Sequence, residues 1–462
     1  MAANPLTKRT RVDTDDVQGL VLQGYGKHRA AAYLVLEVTD GAGARSWLAR
    51  LLPEITLGEA RPSSVALNLA LTSSGLAKLG LPSATLSGFS LEFLEGMTSA
   101  HRSRLLGDEG AAAPAHWSWG APDGTDVDVL LLVFAPDADE LTSALARHRA
   151  DLAGSGLREV TTLDTEDIGR GEHFGFRDGL SQPTMSGVGR AGPKRHMVAP
   201  GEFLLGYPNE HGQYPRSPHV TGADDLDFGR NGSYLVVRTL VQDVEGFWRF
   251  ADQATRRPDG SADPEARTAL AARMVGRWPS GAPLTLTPEA DRPELAEQND
   301  FGYDAADRDG MRCPIGAHVR RTNPRDSLPP KPGTEDSTAV GKRHRLLRRG
   351  RPFGPPIAPD AALDGGVGQQ ADRGLHFLAL CSDIARQFEF ISHTWAMNPA
   401  FAGLLDDSDP LLGGHIPRGT SFTVQGVPVR RRHQGVPAFV TPRGGAYFFV
   451  PGGRALRHLA GS

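Results

Sequence analysis

Apolar and polar positions fall into blocks along this chain, and the blocks come in matched pairs. Residues 17–26 (VQGLVLQGYG) lead into 30–38 (AAAYLVLEV), a stretch rich in strand formers. Residues 43–52 then carry Trp47, Leu48, Leu51 and Leu52 at helical spacing. A second strand is predicted over 64–72, running into SSGLAKLG with Ser73 or Ser74 as the helix N-cap. A third, 127–134 (VDVLLLVF), precedes an amphipathic helix over 138–152. Strand, helix, strand, then strand, helix, strand is the rhythm of a split βαβ, ferredoxin-like unit.

The second half repeats the scheme. Residues 231–251 (NGSYLVVRTLVQDVEGFWRFA) have the rhythm of the first strand and helix, and 374–395 (GLHFLALCSDIARQFEFISHTW) echo the later pair. Two such pairs in the same order argue for duplication. The expected fold class is therefore α+β, with two ferredoxin-like domains, each an antiparallel sheet with flanking helices. Domain one spans 1–190 and domain two 191–462, joined around the Gly, Ser and Pro of 181–201. The polar, proline-interrupted stretch 252–312 reads as a long insertion, and 354–371 as a second one.

Composition narrows the function classes. At 462 residues the chain has room for two or three domains of about 100–200 residues each. A formal net charge of −4 lacks the basic excess of a nucleic-acid-binding protein. Abundant Gly (55) and Pro (35) favour long ordered loops over a helical bundle. Two cysteines, Cys313 and Cys381, make neither a zinc site nor a disulfide framework. The opening MAANPLTKRTRVDTDD has no apolar run and no twin-arginine pair, and no stretch reaches the ~18–20 apolar residues of a membrane span. The expectation is a soluble, cytoplasmic protein with no nucleic-acid partner and no membrane span, its oligomeric state open.

Three stretches carry candidate chemistry. Residues 171–183 (GEHFGFRDGLSQP) place Arg177 and Asp178 between glycines that allow a sharp turn, next to Phe174 and Phe176. In isolation such a turn is ordinary, with Asp178 capping a backbone amide. Residues 313–325 (CPIGAHVRRTNPR) put His318 before Arg320, Arg321 and Arg325, guanidinium groups suited to carboxylates or phosphates. An imidazole beside carboxylate-binding arginines suits an iron porphyrin, which needs one axial ligand and partners for two propionates. Residues 342–354 (KRHRLLRRGRPFG) read either as a solvated basic edge or as a strand ending in a glycine turn, with one of Arg348 and Arg349 facing inward.

Taken in order, GFRDGLSQP, CPIGAHVRRTNPR and LLRRGRPFG resemble the dye-decolourising peroxidases, a haem-binding family. GLHFLAL, DIARQFEFI, TPRGGAYFFVPG and the opening VQGLVLQGYGKHRAAAYL extend the resemblance over almost the whole chain. By position, the resemblance implies Asp178 as the distal aspartate, His318 as the proximal iron ligand and Arg348 as the distal arginine, with Arg349 a one-residue alternative. It also implies Leu375 and Phe377 as the apolar wall of the peroxide pocket. Asp383 is the candidate acceptor for the imidazole N–H, and Arg320 and Arg321 are the candidate propionate partners. The implied cofactor is haem b, with iron held by His318 and bound in the C-terminal half. The implied reaction reduces hydrogen peroxide and oxidises dyes, phenolics or other aromatic donors through a ferryl intermediate.

The chemistry of these residue types fits that activity. An ionised Asp178 can accept and return a proton, and a guanidinium can stabilise charge on the departing oxygen. Activity would then hold at acidic pH and fail around the ordinary aspartate value of ~4. Trp248, Trp278, Trp395 and Tyr303 are candidates to pass electrons from bulky donors. Gly187-Val-Gly189-Arg-Ala-Gly192 matches a dinucleotide fingerprint, but no strand precedes it and Pro193 follows. Two rival readings remain: a haem-binding protein without peroxidase turnover, and a duplicated interaction scaffold without cofactor.

Overall fold

A computed structural model describes residues 11–59, 62–189, 192–222, 225–364, 372–413 and 421–461. The alternation in the first half produces strands β1 (Ala30–Val38), β2 (Ala66–Leu71), β3 (Val129–Ala135) and β4 (Leu157–Asp164). Helix α1 (Gly41–Leu51) links β1 to β2, and α2 (Ala138–Leu152) links β3 to β4. Each begins at an aspartate, Asp40 or Asp137, whose carboxylate accepts from amides of the first turn. The short helix after β2 is capped by Thr72, through its bond from Gly75 N, and not by Ser73 or Ser74.

The second unit follows the same plan. It comprises β5 (Ser233–Gln242), a strand pair β6 (Leu347–Arg348) and β7 (Arg351–Phe353), β8 (Gly374–Cys381) and β9 (Val440–Val450). Helix α3 (Val244–Thr255) follows β5, and wide helical turns at Ala385–Glu389 and Ile391–Ala396 follow β8. Among the described residues the strands form one nine-stranded sheet in the order β6-β8-β5-β9-β2-β3-β1-β4, with β7 also on β8. The first unit's order, β4-β1-β3-β2, is mirrored by β9-β5-β8-β6, so the two ferredoxin-like units meet edge to edge where Phe449 pairs with Leu71.

Period-two alternation lets this sheet feed a core on each face. Ala32, Leu34 and Leu36 of β1 join the cluster under α1 and α2, whereas Ala31, Tyr33 and Val35 join the cluster on the opposite face. A third cluster shows that the stretch 252–312, from the end of α3 toward β6, is not merely polar. Leu270, Trp278, Phe301 and Tyr303 pack with Phe174, Phe176, Phe247 and Trp248 into a buried core beside the sheet. The segment's average polarity concealed these few apolar residues, whose burial at about 1.5–3 kcal/mol each is ample to fix it in place. Trp248, Trp278, Trp395 and Tyr303 are all buried, so none is a surface residue. Asn231, in a formal glycosylation sequon, is buried and bonded to Tyr207 and Asp16. The GxGxxG-like run lies partly outside the described residues. No helix among the described residues is long and apolar enough to cross a membrane.

Candidate active site

A cavity of about 330 Å3 opens between the second unit's sheet and the third core. That volume is in the range of small-molecule and cofactor sites. Its walls include four distant pieces of chain that carry the candidate residues: the loop 171–183, the short helix α4 (His318–Thr322), strand β6 and strand β8. His318, Asp178, Arg348, Leu375 and Phe377 all line it.

The loop carrying Asp178 turns on Gly175 and Gly179, with φ of +91° and +77°, a region that glycine enters without steric cost. Arg177 N donates to Pro279 O and Asp178 N to Arg170 O, both at 3.1 Å, which pins the loop at its end. Arg348 Nη1 lies 3.4 Å from Asp178 Oδ1, and both side chains keep exposed surface on the cavity side. β6 settles the choice between the neighbouring arginines. Successive residues point to opposite faces of a strand, so Arg349 faces away and donates to Leu20 O (2.8 Å) and Val21 O (3.0 Å). Leu375 and Phe377 share the cavity face of β8, while His376 between them is buried on the other.

On the cavity's other wall, His318 Nδ1 contacts Asp409 Oδ2 at 2.9 Å. Asp409 is buried, and its Oδ1 accepts from Leu411 N (2.9 Å) and Leu412 N (3.1 Å). Burial opposes its ionisation, but the facing imidazole outweighs that and holds the carboxyl below its usual value. Burial likewise pulls the His318 pKa down, and the Asp409 charge more than reverses this, leaving it raised. With Nδ1 engaged, Nε2 is the ring nitrogen left for the cavity.

This geometry corrects three expectations. Asp383 is not the partner of the imidazole: it caps Arg386 N (2.9 Å) and pairs with the Arg386 side chain, outside the cavity wall. Asp409 takes that place, joined to His318 only by folding. Arg320 and Arg321 do not reach the cavity either. Arg320 is buried against Asp307 Oδ2 (3.0 Å) and Cys313 O (2.7 Å). Arg321 is enclosed by the carbonyls of Gly316, Trp395, Asn398 and Asp407. Residues on a short helix spread around its circumference, so two arginines following His318 point into the protein instead.

Arginines at the cavity edge come from other segments. Arg277, Arg325 and Arg345 line the wall beside Arg348. Their hydrogen bonds end on neutral oxygens, such as Gly281 O for Arg277, Phe301 O for Arg325 and Ser181 O for Arg345. Burial, with repulsion from Arg325 and Arg348, pushes the Arg345 pKa down to about 9. Burial and the Arg325 charge take Arg277 to about 10. Desolvated like charges without carboxylate partners call for anions, which is what two propionates would supply. An imidazole with a fixed free nitrogen, a cavity of this size and a cationic rim together fit a haem. The sequence placed Arg325 among the carboxylate-binding candidates and Arg345 within the basic stretch 342–354, but gave no signal for Arg277.

Fold and site together define an α+β peroxidase, with an imidazole–carboxylate pair on one wall and a carboxylate–guanidinium pair on the other. The known proteins it resembles agree. Peroxidase 2 of Mycetinis scorodonius is 32% identical, over 96% of this chain and 86% of its own length. The multifunctional dye peroxidase of an Amycolatopsis species is 30% identical over 96% of this chain and 95% of its own. Among solved structures, a dye-decolorizing peroxidase variant in complex with cyanide aligns with a TM-score of 0.81 at 30% identity, covering 98% of this chain and 100% of the other. Another, in complex with 2,6-dimethoxyphenol, gives 0.80 at 29% identity, covering 97% and 100%. No family model matches the chain. The chain belongs to the dye-decolourising peroxidase family, and it is an enzyme.

Proposed function

We propose that this peroxidase holds haem b through His318, reduces hydrogen peroxide with Asp178 and Arg348, and takes electrons from dyes, phenols or related aromatic donors. The observation that carries the reading is the meeting of His318, Asp178 and Arg348 on one cavity, from three distant parts of the chain. The bound haem would supply the redox chemistry, accepting oxidising equivalents from peroxide and passing them to the donor.

The chain's own groups do the rest. Asp409 keeps the imidazole proton on Nδ1, so the Nε2 lone pair is presented to the cavity. The Asp178 carboxylate accepts a proton from hydrogen peroxide and returns it to the departing oxygen. The Arg348 guanidinium donates hydrogen bonds to that oxygen as charge develops on it. Leu375 and Phe377 limit this end of the cavity to small molecules. Arg277, Arg325 and Arg345 anchor the carboxylates of the macrocycle.

The phenol seen with a solved relative supports an aromatic donor here. Buried, unpaired Cys313 and Cys381 fit a cytoplasmic setting. We place the boundary between the two units near residue 190, supported by the gap between β4, ending at Asp164, and β5, starting at Ser233. The test is an absorption spectrum of wild type beside His318→Ala. A Soret band in the wild type and its loss in the variant are expected; normal haem in the variant would move the ligand elsewhere. Spectral binding without peroxide-dependent dye oxidation would favour a haem-handling protein.

A further inference from the structure

The cavity wall also carries Glu172, a carboxylate that none of the steps above employs. It stands in the same loop as Asp178. Its Oε2 accepts from Phe174 N at 2.9 Å and from Gln242 Nε2 at 2.7 Å, and its Oε1 accepts from Phe176 N at 3.0 Å. The backbone of the residue grips the same turn: Glu172 N donates to Phe176 O, and Gly175 N donates to Glu172 O, both at 2.9 Å. The turn contains Gly175, which has no side chain to restrain its own torsions. Gln242 belongs to β5, so the carboxylate ties the loop to the sheet.

Gln242 Oε1 is buried without a hydrogen-bond partner, so the contact through its Nε2 is what orients this amide toward Glu172. Burial pushes the Glu172 pKa up to about 7; the bonds from Phe174, Gln242 and Phe176 pull it down, and the Asp178 charge pushes it up. A carboxylate kept at such a site, where a neutral side chain would avoid the desolvation cost, is held for its acceptor geometry.

We propose that Glu172 is the positioning residue of this loop: by gathering the Phe174 and Phe176 amides and tying them to Gln242, it sets where Asp178 meets Arg348. This rests on the roles given above to Asp178 and Arg348. Losing three acceptor contacts would free the turn immediately before Asp178, and a displacement of about 1 Å at a reacting group can cost on the order of 10²-fold.

The experiment compares Glu172→Ala, Glu172→Gln and Gln242→Leu with Asp178→Asn and wild type as purified holoenzymes. It reads thermal stability, kcat/KM for hydrogen peroxide, kcat/KM for a dye, and the Asp178–Arg348 separation in crystals. For Glu172→Ala we expect kcat/KM for peroxide to fall on the order of 10²-fold while that for the dye stays within about twofold. The Asp178–Arg348 separation should exceed the present 3.4 Å. Glu172→Gln, which keeps one acceptor oxygen, should recover part of the loss. If the alanine variant does not fold, the same split, smaller, is expected in Glu172→Gln and Gln242→Leu. Lower stability with an unchanged peroxide constant and an unmoved Asp178 would overturn the proposal, as would equal losses in both constants. If Asp178→Asn itself reacts like wild type, the assigned role of Asp178 fails first; if it is slow while the Glu172 variants are normal, the positioning role alone fails.

Discussion

Replacing Asp409 with asparagine tests the proximal side of the site at nearly constant volume. A neutral imidazole carries one N–H and one lone pair. Asp409 accepts at His318 Nδ1 (2.9 Å), which leaves the lone pair on Nε2. The substituted amide faces a choice, because its two ends differ. If its oxygen stays beneath Leu411 N and Leu412 N, its NH2 group meets Nδ1. The ring proton is then driven to Nε2, where it blocks coordination. If the amide reverses, the ring keeps its ligating tautomer, but the Leu411 and Leu412 amides lose their acceptor. At about 1 kcal/mol for each bond, that form costs about 2 kcal/mol, or roughly 30-fold in affinity. The assay is titration of haem into the cofactor-free protein, followed in the Soret band, with His318→Ala as the floor. Haem binding by Asp409→Asn at the wild-type Kd with an unshifted band would refute the tautomer argument.

Four further outcomes follow from the same geometry. Asp178→Asn and Arg348→Leu should retain haem but slow the stopped-flow reaction with peroxide by about 10²–10⁴-fold; wild-type rates in both would remove their assigned roles. Arg345→Leu should weaken haem retention by about 10- to 150-fold, the loss of one charge-assisted bond of roughly 1.5–3 kcal/mol, as read by haem transfer to apomyoglobin. Arg320→Leu should instead leave Asp307 buried and unpaired, lowering unfolding stability by about 3–5 kcal/mol in chemical denaturation. His376 is buried and bonded to Asp164 O and Thr239 Oγ1, and burial takes its pKa from 6.5 to about 4. Folding keeps it neutral, so its contribution is full above pH ~6.5 and is lost as pH falls toward ~4, by up to roughly 3 kcal/mol. Thermal melts across that window should show a smaller slope for His376→Gln than for wild type.

The pattern of side chains determined most of the secondary structure. Residues 30–38 form the strand that their run of strand formers predicts, and 138–152 the helix that their period-3.6 spacing predicts, because local preference and spacing act before any partner is known. The paired rhythm of the two halves likewise carried both ferredoxin-like units. His318, Asp178 and Arg348 were singled out through the order of three motifs that resemble those of a known family, each motif being ordinary when taken alone.

What tertiary structure alone decided has a common physical origin: direction and long-range contact are not written in local spacing. Arg348 and Arg349 are equivalent in a basic run until pairing with β8 holds Arg348 on the cavity side and the next residue, Arg349, reaches the carbonyls of Leu20 and Val21. Arg320 and Arg321 have the right chemistry for propionates, yet helix α4 turns them into nests of carbonyls. Asp383 and Asp409 are alike as sequence, and only chain packing brings the second against the imidazole. The segment 252–312 read as a polar insertion without a core because polarity averaged over a stretch hides a few well-placed apolar groups. Hydrophobic burial acts on those groups one by one, and folding gathers them into the wall of the active site.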